Sequence, residues 1–249
     1  MGVVPTRPNS RVWLDHRDLS GFVNAGEFGL QNEVMDAAAF NTSGPKQVVG
    51  NFEHTHSHGV LWDGGTSDNS SNDIDAFLHG LAGSSDGLHY LGETWGANAA
   101  GSVAYESIVK LESKPHKGTN GQLQMFQLAM AGSGQLSRGL VLANATATGT
   151  TNYTGRNQGV TASTQTYQAV VRVLGGTFTS FTLQIQQSSD DGSGDAYALI
   201  TGMTVSPSAV GVTRLTFTGS ATEAWKRAAI TAWTGTNAII IVTGGVVTQ

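Results

Sequence analysis

Apolar residues recur at two different periods along this chain. Between residues 71 and 83, Ile74, Phe77, Leu78 and Leu81 fall at i, i+3, i+4 and i+7, one stripe at helical period. Ser71 or Asn72 can cap the N-terminus by accepting a bond from an orphan backbone N–H, and Asp73 and Asp75 suit the positive end of the helix dipole. Gly80 and Gly83 weaken and then stop this predicted helix. Nearly everywhere else the alternation has period two, which predicts strands. In the first half these are 11–15, a weaker one at 28–33, 47–62 (the longest), 89–93, 102–110 and 122–130; 134–142 ends the unit, and Gly132-Ser133-Gly134 reads as a plain turn. After a polar stretch without period, 143–165, shorter strands are predicted at 167–174, 181–186, 197–201, 212–218, 226–233 and 238–242. Short strands at this spacing argue for a β-sandwich or jelly roll.

The pattern divides the chain into an N-terminal arm over 1–10, a β domain with one flanking helix over 11–142, a linker or surface loop over 143–165, and a second β-sandwich over 166–249. The fold class expected is mainly β.

Composition sharpens this picture. Charged residues make up only 12% of the 249, where about a quarter is usual. Ser, Thr, Asn, Gln and Gly must therefore cover the surface, as in secreted, virion or assembled proteins. There is no cysteine, which excludes disulfides and thiolate chemistry. The N-terminus lacks the apolar core of a secretory leader, and no apolar run is long enough to span a membrane, so neither is expected. Residues 1–143 carry 14 acidic and 8 basic side chains and residues 144–249 carry 4 and 5, so the first half is acidic and the second near neutral. Neither has the basic stripe of a tight nucleic-acid binder.

Candidate chemistry is sparse. His54, His56 and His58 form an HxHxH run that a strand would point to one face, where imidazoles can hold zinc or another transition metal. The competing reading is a polar stripe on the solvent face of a strand. Asp190, Asp191 and Asp195, with Ser188 and Gly192, partly match an Asp-box hairpin and offer oxygens of the type Ca²⁺ prefers. Trp225, Trp233 and Tyr197 could line a sugar-binding face or belong to the core; the two tryptophans lie eight residues apart, hence on one face of one strand. No GxSxG, HExxH or Gly-rich phosphate loop is present. No enzyme activity, catalytic residue or cofactor is expected.

The order of motifs resembles a known family. Leu14-Asp15, then Asp18-Leu19-Ser20-Gly21-Phe22-Val23-Asn24, a long strand, Asp73-Ile74-Asp75-Ala76-Phe77-Leu78-His79, Tyr90-Leu91-Gly92 and Leu136-Ser137-Arg138-Gly139-Leu140-Val141-Leu142 follow one another. Over 11–142 this is similar to the major tail tube proteins of long-tailed, siphovirus-like bacteriophages. The second half is similar to the immunoglobulin-like or lectin-like sandwiches appended to them. The resemblance implies a virion structural protein, made in the host cytoplasm, whose copies form hexameric rings stacked around a channel for DNA ejection. It implies as partners the chain itself, the tape measure and tail terminator proteins, and DNA passing without sequence-specific binding. An acidic lumen suits sliding, because phosphate affinity comes from Lys and Arg. On this reading Phe22, Phe40, Trp62 and Phe77 are core or interface anchors, Arg17, Lys46 and Glu53 make contacts between rings, and truncation after Leu142 leaves assembly intact. The HxHxH run is no feature of the family. The alternative reading is a carbohydrate-binding or adhesive virion module, or a capsid decoration protein.

Overall fold

β-Branched and aromatic residues alternating with Ser, Thr and Gln dictate strands through most of the chain, and the strands join edge to edge. The computed structural model describes residues 10–36, 47–61, 74–82, 87–94, 99–113, 116–117, 125–220 and 222–248. The expected arm (save Ser10), Phe40, Lys46, Trp62 and the predicted helix caps Ser71 and Asn72 lie outside them. The structure is mainly β, and among the described residues one short helix accompanies 14 strands that form one curled antiparallel sheet, a half-barrel.

In chain order the strands are β1 (Arg11–Leu14), β2 (Arg17–Asp18), β3 (Val23–Asp36) and β4 (Gln47–Leu61), followed by the helix α1 (Ile74–Ala82). Then come β5 (His89–Thr94), β6 (Val103–Ser113), β7 (His116–Lys117), β8 (Met125–Ala147), β9 (Thr151–Asn152) and β10 (Arg156–Asn157). β11 (Tyr167–Ser188), β12 (Ala198–Val205), β13 (Gly211–Phe217) and β14 (Trp225–Thr248) complete the sheet.

β8 is the spine. One of its edges pairs with β6, and through it with β5, β1 and β2. The other edge is shared: Met125 to Ala131 pair with β4, and Leu136 to Ala147 pair with β14. β14 in turn runs beside β11 along nearly its whole length, and β13 and β12 pair successive parts of β11.

The turn expected at Gly132-Ser133-Gly134 is a bulge instead. Ser107 faces Leu136 while Val109 faces Gly132, so β8 carries two extra residues there and bends without leaving the sheet. The break expected between 174 and 181 is likewise a series of register shifts within β11, and the gap expected between 233 and 238 is bridged by β14. Gly176, at φ 127°, lies between two of these shifts against the backbone of Asn237 and Ala238, where a side chain would collide.

The stretch 143–165 is not a linker. Ala143 to Ala147 continue β8 against β14, β9 and β10 pair with the first part of β14, and Thr161 bridges to Thr222. Sparse apolar content misled because strand pairing holds this segment together with only a few core side chains, Ala143, Ala147 and Tyr153.

Two apolar clusters fill the fold. One gathers Val12, Leu14, Leu19, Val60, Leu91, Val109, Leu128 and Met130 under the helix residues Ile74 and Leu78. The other gathers Tyr167, Val171, Val173, Phe181, Leu183, Ile185, Ile230, Ile240 and Val242 along the bent, paired strands β11 and β14. Each sits on one side of Leu142, the sequence position where the composition changes.

Candidate functional site

The inner face of β4 carries His54, His56, His58 and Val60, every second residue. They do not face solvent: the three imidazoles are 2%, 2% and 1% exposed. The polar-stripe reading of the HxHxH run is therefore overturned, because the sheet curls until the inner face of β4 meets that of β5 across β8 and β6. There Glu93, itself buried, accepts on one oxygen from both rings, His56 Nδ1 at 3.0 Å and His58 Nε2 at 2.6 Å. The far nitrogen of His56 lies 3.0 Å from Ser107 Oγ on β6. Phe28 of β3 stacks on His56 and touches Tyr105 of β6, closing the interior from the other side.

The cluster sets its own electrostatics. Burial alone would raise the Glu93 carboxyl, but the hydrogen bonds and charges of His56 and His58 outweigh it and hold the group at about 2. Burial, with the neighbouring His56, pushes His54 down to about 4. His54 stands edge-on to His56, and its ring lies over Gly132, where any β-carbon would occupy the same space. The glycine first read as part of a turn thus makes room for a histidine. Glu93 was absent from the sequence reading. Nothing local marks it, since its partners lie 35 and 37 residues away along the chain.

A second buried polar node lies on the opposite face of β6 and was also not foreseen. Arg172 of β11 makes a two-pronged ion pair with Glu106 of β6, Nη1 to Oε1 at 2.6 Å and Nη2 to Oε2 at 2.7 Å. Its Nε–H donates to the carbonyl of Asp15 at 2.9 Å, and Thr243 Oγ1 donates to Glu106 at 2.7 Å. The guanidinium also stands over the ring of Trp13, itself fully buried.

The remaining sequence candidates separate. Ala228 and Ile230 of β14 face the second apolar cluster, as does Trp233, which stacks on Phe181. Between them Leu183 pairs with Ile230 and Thr182 with Ala232, so Thr231 is an extra residue. That single insertion reverses the alternation and places Trp225 on the other face from Trp233. An aromatic platform from these two tryptophans is not assembled. Tyr197 lies under the Arg227 guanidinium at 4.0 Å and donates its hydroxyl to Asp191. Asp190 accepts the backbone N–H groups of Asp195, Gly194 and Ser193, and these bonds, that of Asp195 foremost, hold its carboxyl below the usual range. Its acceptor capacity goes to shaping the turn.

Of the residues expected at subunit contacts, Phe22 and Phe77 pack on the first apolar cluster, and Arg17 lies over the Phe77 ring at 5.5 Å. Glu53 is exposed on β4. It belongs to a ribbon that leaves the sheet. β4 pairs with β8 only from Thr55 to Leu61, and β3 pairs with no strand but β4 among the described residues. Leu30 to Asp36 with Gln47 to His54 therefore form a two-stranded extension whose edges meet no further strand among the described residues. Leu30 lies on it at 54% exposure.

No protein-family model matches the chain, and no curated protein matches it. Among solved structures, the chain is similar to a component of the virion of a native gene transfer agent particle. That match covers 51% of this chain and 94% of the other, at 13% identity and a TM-score of 0.36. It is also similar to the SPP1 Dit protein, described as a paradigm of the hub adsorption apparatus in phages infecting Gram-positive bacteria. There the match covers 95% of this chain and 98% of the other, at 12% identity and a TM-score of 0.35.

Proposed function

We propose that this chain is a structural subunit of a bacteriophage tail tube, assembling as hexameric rings that stack around a channel for DNA. The observation that carries the reading is the open ribbon of β3 and β4. A two-stranded ribbon in water is marginal by itself, and unpaired strand edges are templates for another chain. Pairing with a neighbouring copy satisfies both. A head-to-tail contact of this kind closes into rings or stacks into tubes. The ordered motifs of residues 11–142 and the acidic first half support the same reading. So does the short helix α1 packed beside the half-barrel. On this reading the chain acts by assembly, catalyses nothing, and meets the tape measure and terminator proteins at the ends of the tube.

Negative-stain micrographs of the purified full chain over a range of concentrations test it. Six-fold rings or hollow rods are expected. Leu30→Asp, which charges the open ribbon, is expected to abolish them while leaving the far-UV circular dichroism unchanged. A parent chain that stays monomeric at every concentration, or a Leu30→Asp chain that polymerises as the parent does, overturns the assignment.

A further inference from the structure

Three side chains of metal-ligating type converge inside the half-barrel. The ligand atoms of His56, His58 and Glu93 all lie within 4.8 Å of one another, and all three residues are buried. They come from β4 and β5, which β8 and β6 separate in the sheet. The curl of the sheet, rather than closeness in the chain, brings them together.

Hydrogen bonding among these groups leaves the site incomplete. Both imidazoles approach the same carboxylate oxygen of Glu93, at 3.0 and 2.6 Å. The other oxygen, Oε2, is buried with no hydrogen-bond partner among the described residues. Nor does any Lys or Arg pair with Glu93 among the described residues; its ion pairs are the two histidines. A buried carboxylate with one oxygen unsatisfied is an uncommon arrangement in a native fold, and one standard explanation is a bound ion. The outer contacts suit one as well. When Nδ1 of His56 is a ligand, its Nε2–H donates to Ser107 Oγ, the type of partner that fixes the ring of a ligating histidine.

We infer that His56, His58 and Glu93 hold one divalent transition-metal ion of the zinc class, which ties β4 to β5 across the interior of the half-barrel. Two imidazole nitrogens and a carboxylate suit zinc, cobalt or nickel better than calcium or magnesium, which prefer all-oxygen sites. At ligand bonds of about 2.0 to 2.2 Å in a tetrahedral arrangement, the donor atoms stand about 3.3 Å apart. The ion therefore takes the place of the hydrogen bonds to Glu93 and lengthens both nitrogen–oxygen contacts, with water completing the shell. All three side chains are buried and they come from two separate strands, so the ion acts as a structural clamp. The inference does not depend on the assembly reading and holds for a chain that forms no tubes.

Cobalt provides the test. The full chain is stripped with a chelator, dialysed free of it, and titrated with Co²⁺ and then Zn²⁺. One equivalent of Co²⁺ is expected to produce the visible absorption of a four-coordinate site, and one equivalent of Zn²⁺ to bleach it. Zn²⁺ is also expected to raise the melting temperature as the site fills. Glu93→Gln and His58→Gln are expected to weaken the metal at least tenfold. His79→Ala, at an exposed position on α1, is expected to leave it unchanged. A folded parent chain showing no stoichiometric cobalt band and no thermal shift overturns the inference. Equal metal affinity in the Glu93→Gln and His58→Gln chains overturns it too. Should one variant fail to fold, the parent titration and the other variant decide.

Discussion

Arg172 and Lys226 are both fully enclosed, and they are satisfied in opposite ways. Arg172 has a carboxylate, two backbone carbonyls and an aromatic face. Removing it strands Glu106 in the interior with only the Thr243 hydroxyl. Breaking one side of a buried pair is worth roughly 3 to 5 kcal/mol, so Arg172→Met is expected to lose that much in urea denaturation. The double change with Glu106→Gln is expected to recover a large part of it, because no buried charge is then left unpaired. Lys226 has no carboxylate in hydrogen-bonding contact among the described residues. Its ammonium donates to the Gly159 carbonyl at 2.5 Å and sits over the ring of Tyr167. Burial pushes its pKa from 10.5 down to about 8. Between those two values the unfolded chain binds more protons than the folded one, so stability rises with pH through that window. Raising the pH from 7 to 9.5 is expected to strengthen the Lys226 contribution by about 2 kcal/mol. Urea midpoints at the two pH values check this, with Lys226→Met as the reference in which that gain is missing.

At the scale of elements, α1 shows the most direct route from pattern to structure. Its stripe packs as the spacing predicts: Ile74 and Leu78 are buried, and Phe77 and Leu81 are partly so. Leu78→Ala is expected to destabilise the chain by roughly 2 to 5 kcal/mol, measured by thermal or urea unfolding, because the cavity beneath the helix is walled by strands that cannot follow it. The strands were legible in position but not in length. β8, β11 and β14 each contain Gly, Ser and Thr runs that carry the composition of turns, yet the backbone passes through them as bulges. Composition alone does not separate a turn from a bulge, since both call for small residues and broken alternation. The same device explains the tryptophans. One extra residue at Thr231 undoes the parity that eight residues of separation imply. The histidine run was visible, but its burial was not. A strand with polar residues at every second position looks solvated until the sheet curls a carboxylate onto it. Glu93 and the Arg172–Glu106 pair were illegible for the same reason: both are products of strand order, which single-strand patterns do not contain.

For the whole molecule, the decisive feature is that the two apolar clusters share one sheet. The composition change near residue 143 marks a real difference between the halves, because each has its own cluster. A chain ending at Leu142 nevertheless loses more than a second core. Along its edge from Leu136 to Leu142, β8 loses the backbone partners that β14 provides. Glu106 keeps its place under the sheet but loses both Arg172 and Thr243. Trp13 loses the guanidinium over its ring, and Ser137 loses the Gln168 amide bonded to it. A buried charge without a partner and a newly opened strand edge both act against folding, and the second invites aggregation. Chains truncated after Leu142 are thus expected to lack a cooperative thermal transition and to elute as aggregates in size-exclusion chromatography. That outcome reverses the expectation from pattern alone, in which the second half is a dispensable appendage. Pairing the truncation with Glu106→Gln separates the two causes. If the buried charge dominates, the paired variant regains a cooperative melt; if the open edge dominates, it stays aggregated. A truncated chain that melts cooperatively as a monomer without the second change would instead establish the first half as an independent folding unit.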